Sequence, residues 1–488
     1  MESIFIMIET NLIAIALLPP LIVSLFTLIF KNSENIRDSL GFIGALISFY
    51  ASIKISIDVL NNNSHSLFLF HLFNDLEFSF NVTPLGAIFG LVCSGLWILA
   101  AIYSVGYMRG NNEKKQTRFY SFYALSIFGA LCVAWSSNLL LLFIFYEFLT
   151  FATYPLVAHK ETEQSLKASR LYLGILVGSS LLFFLPAIIW VWYSTGTLNF
   201  VHGGILTNSF NPGYAPILLM LFIFGIGKAA IMPLHWWLPA AMVAPTPVSA
   251  LLHAVAVVKA GVFSILMVCC YIFGIDFISE TNSSNILIWI ACFTILMSSI
   301  IAIQKDDLKA RLAYSTVSQL SYIVLGGLIA TQYSVIGSSM HIMMHAVGKI
   351  TLFFCAGAIY VGAHLTKISQ LDGTGKKIPI IYIAFAIGAL SIIGIPPMGG
   401  SWSKFYLMMG AAQSMLTVVI IILIISSVLN AFYLLEPVFR AFYNLPKENI
   451  EFKVPQLVTI PIIASTGLII LLFFFYSPLL SLSMMVVK

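Results

Sequence analysis

Residues 338–358 read SSMHIMMHAVGKITLFFCAGA, a stretch that holds no carboxylate. As an α-helix rising 1.5 Å per residue, a run of about 20 such residues matches the hydrocarbon thickness of a bilayer, about 30 Å. His341, His345 and Lys349 fall at i, i+4 and i+8. Each step turns 400°, so the three groups stack along one helical stripe about 6 Å apart. A central intramembrane lysine costs about 2.5–3.5 kcal/mol on insertion scales. A polar seam for helix packing is the plain reading of the stripe; a proton wire with water between the groups is the functional one.

The rest of the chain is of the same kind. Of 488 residues, 60% are hydrophobic and 9% charged, against about 45–50% and about 25% in ordinary globular chains. This excludes a soluble protein. The formal charge of +5 comes from 24 basic residues scattered along the sequence, which excludes a nucleic-acid-binding patch. Cys93, Cys132, Cys269, Cys270, Cys292 and Cys355 lie in apolar runs without CxxC spacing. They read as packing residues, with no metal site and no iron–sulfur cluster. No Gly-rich dinucleotide or phosphate loop is set between a strand and a helix, so no cofactor is expected.

Fourteen apolar runs are long enough to cross a membrane. They lie near 11–30, 40–59, 84–107, 119–135, 138–157, 170–192, 215–234, 243–270, 284–303, 313–331, 335–363, 380–408, 413–436 and 457–484. The first ten residues, MESIFIMIET, carry no basic residue and so lack the positive region of a cleaved signal; the first span is expected to stay. Connections after odd-numbered spans hold 18 of the 24 Lys and Arg residues, and the opposite side holds only Lys488. The positive-inside rule then puts the odd-numbered loops in the cytoplasm and both termini outside the cell (inner) membrane.

The five basic residues left over lie inside spans: Lys54, Lys228, Lys259, Lys349 and Lys404. The four central ones represent roughly 10–14 kcal/mol before compensation. Lys54 has a local partner in prospect, Asp58, at i+4. Glu147 is a mid-span acid in SSNLLLLFIFYEFLTFATYPLV (136–157), and Lys228 is equally deep in LFIFGIGKAAIMPLHWWLPAA (221–241). A pair of this kind about 4 Å apart gains about 4 kcal/mol at an effective dielectric of 20. Either Glu147 simply pins two helices together, or its approach and withdrawal switch the protonation of Lys228. Lys259 lies in APTPVSALLHAVAVVKAGVFSILMV (244–268), where no acid is available to pair with it. His253 precedes it by six residues, about 240° around a helix, so the two do not share a face. His253 alone reads equally as a satisfied interior imidazole. Lys404 ends LSIIGIPPMGGSWSK (390–404), whose prolines and glycines should break the helix. The tenth span carries Tyr314, Ser315, Thr316, Ser318, Gln319, Ser321 and Tyr322, too polar a set to face lipid.

Proline breaks in the seventh-to-eighth region and in the twelfth span, each after a run of unbroken helices, point to inverted repeats. The expected architecture is an all-α polytopic membrane protein with two inverted five-helix repeats and broken helices 7 and 12. Its parts are a three-helix region at 1–118, helices 4–8 at 119–270, helices 9–13 at 284–436 and a last helix at 437–488. Lys228 and Lys404 become repeat equivalents.

Four strings go beyond physics: GKAAIMPLHWWLPAAMVAPTPVSALLHAVAVVKAG (227–261), DDLKARLAYSTVSQLSYIVLG (306–326), HIMMHAVGKITLFFCAGAI (341–359) and IGIPPMGGSWSKF (393–405). Together they resemble the antiporter-like proton-translocating subunits shared by complex I, membrane-bound hydrogenases and Mrp-type multisubunit cation/proton antiporters. The resemblance implies a Glu and Lys pair on helices 5 and 7, a central relay residue on helix 8 and a terminal residue on helix 12. Glu147, Lys228, Lys259 and Lys404 match those positions, and His345 and Lys349 match the connecting eleventh helix. The lysine on helix 12 resembles the L, N and Mrp D types; the M type has Glu there. Length and termini point to the Mrp D type, whereas APTPVSALLHA is more like the L type or the Mrp A type.

The reading for function is therefore a proton-translocating subunit of a multisubunit monovalent cation (sodium)/proton antiporter, using Glu147, Lys228, His253, Lys259, His341, His345, Lys349 and Lys404. It implies other membrane subunits as partners, protons and sodium as cargo, and no catalytic chemistry on the chain itself. The alternatives are a pumping subunit of NADH-quinone oxidoreductase or a membrane-bound hydrogenase, and a non-transporting scaffold that would tolerate uncharged substitutions.

Overall fold

The computed structural model describes residues 11–73, 76–206, 210–446 and 451–488, without the side chains at 73 and 252–255. Its helices in chain order are α1 (Leu12–Ile29), α2 (Glu34–Leu60), α3 (Pro84–Gly110), α4 (Gln116–Trp135), α5 (Leu139–Val157), α6 (Glu163–Thr195), α7 (Pro212–Gly225), α8 (Val257–Phe273), α9 (Asn285–Gln304), α10 (Leu308–Ile329), α11 (Gln332–Ala363), α12 (Pro379–Ile393), α13 (Gly400–Gln413), α14 (Thr417–Tyr443), α15 (Gln456–Phe474) and α16 (Ser477–Met485). The starts are set by side-chain caps that satisfy orphan backbone N–H groups. Asn138 accepts from Leu141 N at 2.9 Å, Asp307 from Ala310 N at 2.8 Å, and Thr331 and Ser334 form a reciprocal capping box.

Among the described residues, eleven helices are long and apolar enough to cross a membrane without a break, and a twelfth forms if α8 and the segment Ile275–Thr281, bent by 79°, count together. The protein is a polytopic membrane protein. Two of the remaining expected spans are interrupted where proline and glycine were read as breakers. After α7 the chain passes through a 3-10 turn at Gly227–Ala229 and a short helix at Trp237–Ala240, and α12 is separated from α13 by residues 394–399. Gly394 takes φ +92°, a conformation that favours glycine, and a Cβ there would collide with the Lys404 side chain. Gly261 on α8 has no room for a Cβ either, because the backbone of Lys228 and Ala229 packs onto it.

The all-α expectation needs one correction. Ser66–Phe73 (β1) and Leu76–Asn81 (β2) pair as an antiparallel hairpin between α2 and α3. The alternating aromatics Phe68 and Phe70 on one strand and Phe78 and Phe80 on the other are the period-2 signal of a strand, and Phe70 pairs with Phe78. The hairpin is tied to the start of α5: Asn138 Nδ2 donates to Glu77 O at 2.9 Å and Ser79 Oγ to Ser137 Oγ at 2.8 Å.

The centre of the bundle is α10 and α11, whose most apolar stretches are 100% and 94% buried, against 33% for α14 and 28% for α15. The polar helix and the histidine helix are thus shielded from lipid, as the cost of polar groups in hydrocarbon requires. Ion pairs tie the basic connections together. Asp38 binds Arg37 and Arg109, Glu161 binds Lys115 and Arg118, and Arg311, Glu436, Arg440 and Asp372 form a chain of ion pairs. Lys54 does not pair with Asp58. Its amine lies 5.9 Å from the centre of the Tyr50 ring, and Asp58 binds His65 at 2.9 Å.

Candidate functional site

Lys228 emerges from the break after α7 and is completely buried. Its Nζ donates to Tyr146 O and Thr150 Oγ1, both at 2.6 Å, and sits 3.2 Å from the centre of the Tyr146 ring. Two acceptors and an aromatic face fill the three directions of an ammonium. Glu147 is the next residue on α5 after Tyr146. Even so, no ion pair joins it to Lys228, and both carboxylate oxygens are buried without a hydrogen-bond partner among the described residues. The expected closed pair is open, because Tyr146 and Thr150 offer the amine a nearer seat on the same helix. An unpartnered carboxylate is costly to keep, so Glu147 is the member of the pair with a reason to move.

Lys259, on α8, meets α11. Its Nζ lies 2.8 Å from His345 Nδ1 and both residues are buried. His345 and His341 have ring centres 5.5 Å apart, close to the spacing expected of the stripe. His341 Nδ1 is 2.8 Å from Ser403 Oγ, and that hydroxyl donates to Gly400 O at 3.1 Å. The tautomers depend on which partner holds the proton. With an ammonium at Lys259, His345 accepts at Nδ1 and carries its proton on Nε2; with the Ser403 proton on Gly400 O, His341 donates from Nδ1 and keeps a lone pair on Nε2. Both Nε2 atoms are buried and, among the described residues, unpartnered, and in these tautomers one water would join them.

Gln319 adds to this gap. On α10, Ser315 meets Lys349 and Tyr322 stacks on His341, so the antiparallel register sets Gln319 opposite His345. Both atoms of its buried amide are unpartnered. Lys404 follows Ser403, the partner of His341, in the chain. The Lys404 amine is 4.9 Å from the centre of the Tyr322 ring and donates to Ile393 O and Ser427 Oγ, each at 3.0 Å. Beside it opens a largely apolar cavity of about 1050 Å³ bordered by Tyr322, Ser427, Tyr433, Glu436 and Arg440.

Lys349 does not continue the histidine stripe toward Lys404. Its Nζ turns to α10, donating to Leu312 O at 3.2 Å and Ser315 Oγ at 2.6 Å. The structure thus joins Lys259, His345 and His341 in one line near Lys404, sets Lys228 on the other side of α8, and leaves Lys349 on a branch. The His253 side chain lies outside the described residues. Tyr146, Thr150, Ser403 and Ser427 were missed; the first three stand within one helical turn of Glu147 or Lys404, whereas Ser427 lies mid-helix with no charge within a turn of it. Among the described residues no group of three or more His, Cys, Asp or Glu is gathered as metal ligands would be, and the six cysteines are free and buried.

Comparison with known proteins agrees with the motifs. Residues 136–430 match the family described as NADH:quinone oxidoreductase/Mrp antiporter, transmembrane, and residues 72–120 match that of the complex I chain 5 N-terminus. The N-type subunit of NADH-quinone oxidoreductase from Desulforudis audaxviator is 32% identical over 73% of this chain and 72% of its own. The D-type subunit of a Na(+)/H(+) antiporter from Alkalihalophilus pseudofirmus is 27% identical over 98% of this chain and 96% of its own. Among solved structures, a chain of the Mrp complex from Dietzia sp. superposes with TM-score 0.87 at 19% identity, covering 98% of this chain and 96% of that one. A chain of an archaeal membrane-bound sulfane sulfur reductase gives 0.86 at 23% identity, covering 98% of both chains. These likenesses establish the fold. The chain belongs to the NADH:quinone oxidoreductase/Mrp antiporter transmembrane family.

Proposed function

We infer that this member of the family is the proton-translocating subunit of a multisubunit monovalent cation/proton antiporter of the Mrp type. Protons pass along Lys228, Lys259, His345, His341 and Lys404, with Glu147 as the switch, Lys349 on a side branch and His253 included on its sequence position alone. The observation that carries this reading is the 2.8 Å contact of two buried bases, Lys259 and His345, which continues through unpartnered imidazole nitrogens toward a third buried amine. The D-type antiporter relative matches nearly end to end, which favours the antiporter branch. The N-type relative favours the second reading, a proton-pumping subunit of a redox-driven complex.

The same reading takes the chain across the cell membrane fourteen times, with both termini outside, broken helices 7 and 12, and helices 4–8 and 9–13 as inverted repeats. What supports the repeat is a shared spacing: Lys228 follows Tyr146 by 82 residues, and Lys404 follows Tyr322 by the same separation. Other membrane subunits complete the assembly, and sodium is its second cargo.

The test is proton flux in proteoliposomes holding the assembled complex. Lys259→Arg should lose transport, because a guanidinium does not release its proton at working pH. Wild-type flux in that variant would remove Lys259 from the path. Flux driven by a sodium gradient alone marks the antiporter; flux that needs a quinone and a reductant marks the alternative.

A further inference from the structure

Lys349, the lysine that leaves the histidine line, opens onto a row of buried hydroxyls. Ser315 Oγ accepts from its amine at 2.6 Å. The Tyr433 hydroxyl, on α14, donates to Asn430 Oδ1 and has Ser315 and Ser299 as neighbours, with no direct hydrogen bond to either. Ser299, on α9, donates to Ser318 Oγ at 3.1 Å, and Ser426 Oγ is 3.5 Å from each of them. The Tyr322 hydroxyl donates to Leu423 O at 3.2 Å and has Ser426 and Ser427 as neighbours, and Ser427 Oγ accepts from Lys404 Nζ at 3.0 Å. Ser299, Ser315, Ser318 and Ser426 are completely buried, and Tyr322 and Tyr433 are 1% exposed.

We propose that this row is a second proton path, running from Lys349 to Lys404 through Ser315, Tyr433, Ser299, Ser318, Ser426, Tyr322 and Ser427 and bypassing both histidines. Serine hydroxyls in membrane helices commonly serve packing by bonding back to carbonyls one turn away. Ser299 and Ser318 do share the carbonyl of Ile295. Packing alone gives no reason for a row of buried hydroxyls, which a water at each tyrosine would close, to begin at one buried amine and end at another. A hydroxyl both donates and accepts, so it can take a proton on its oxygen while passing on its own. One transfer turns the Lys349 ammonium into an amine and the Lys404 amine into an ammonium, and rotation of the hydroxyls resets the row. The oxygens are also a set that a desolvated alkali cation would accept, but a lysine at each end repels a second positive ion, which selects the proton.

The path rests on the reading of the chain as a proton translocator, and the experiment separates the two. Flux is measured in proteoliposomes of the assembled complex carrying His341→Ala, the pair Ser299→Ala with Ser318→Ala, and all three changes together. Wild-type flux that is lost in Lys259→Arg establishes translocation independently of the row. With two paths, His341→Ala and the serine pair each retain a measurable share of the flux, and the triple variant falls at least tenfold below His341→Ala. Restoring a hydroxyl with Thr at position 318 in the triple variant returns part of the flux, which shows that the hydroxyl and not the packing was lost. The proposal is overturned if His341→Ala alone abolishes flux, or if the triple variant matches His341→Ala.

Discussion

Lys228 and Lys404 each stand just after a helix break, donate to one carbonyl and one hydroxyl, and lie over a tyrosine ring. Around these two seats the protein diverges. At the first, the residue after Tyr146 is Glu147, and the lysine is sealed in. At the second, the residue after Tyr322 is Ile323, no acid stands beside the amine, and a cavity of about 1050 Å³ opens next to it. An amine governed by a movable carboxylate is suited to control when a proton is taken or given up. An amine with only neutral partners, beside open space, is suited to pass it on. On the proposed reading, two similar seats serve the start and the end of a path.

The largest effect should come from removing a lysine. Lys228→Ala and Lys404→Ala are each expected to cut proton flux at least a hundredfold, which corresponds to about 2.7 kcal/mol or more on the limiting step. The seats should then separate: Lys404→Glu keeps partial flux because the terminal group needs only to titrate, whereas Lys228→Glu, beside Glu147, keeps none. Equal behaviour of the two glutamates in proteoliposome assays would dissolve the distinction.

Moving the acid sharpens it further. Glu147→Ala should also abolish flux while the complex still assembles on native gels. Ile323→Glu, which gives the second seat the carboxylate of the first, should slow flux about tenfold by holding the Lys404 proton, roughly 1.4 kcal/mol. Unchanged flux in Ile323→Glu would mean that the acid does not govern the seat. A smaller loss, a few-fold, is expected for Gln319→Leu, with a larger solvent isotope effect than in wild type if the amide orders the water between the imidazoles. An unaltered isotope effect would reduce Gln319 to packing.

The smallest effect belongs to the ion pairs of the basic connections. Hydrogen bonds from Lys115 and Arg118 hold the Glu161 carboxyl down at about 2. A depressed acid stabilises the fold above its unfolded value, about 4.3, and that contribution is lost as pH falls through about 2. The group is solvent-exposed, so screening keeps the contribution small. Glu161→Gln should therefore shift the melting temperature at pH 7 by only a degree or two, and the difference should vanish near pH 2.

The sequence showed the spans and the titrating groups because both are matters of composition: a lysine in an apolar run stands out without any partner. Partners across helices were harder. The stripe of His341 and His345 came from helical periodicity, and the ring spacing of 5.5 Å agrees with it. Lys349 belongs to the same stripe by arithmetic, yet its four-carbon arm reaches Ser315 on another helix, a choice that periodicity does not encode. The Glu147 and Lys228 pairing failed for a related reason: Tyr146 and Thr150 compete for the amine, and carbonyl acceptors have no letter in a sequence. The hairpin was overlooked because its alternation sits between two much longer apolar runs.

If Glu147 is the proposed switch, that hairpin bears on how it moves. Asn138 caps the first turn of α5 and reaches across to the carbonyl of Glu77, so the end of the helix nearest the strands is moored. The other end, which carries Pro155, is not held by the sheet. Sliding the whole helix would strain the mooring, whereas a torsion of the glutamate side chain leaves it untouched. The protein therefore resembles a latch mounted on a fixed post, in which the throw is a few bond rotations long and the frame does not travel with it.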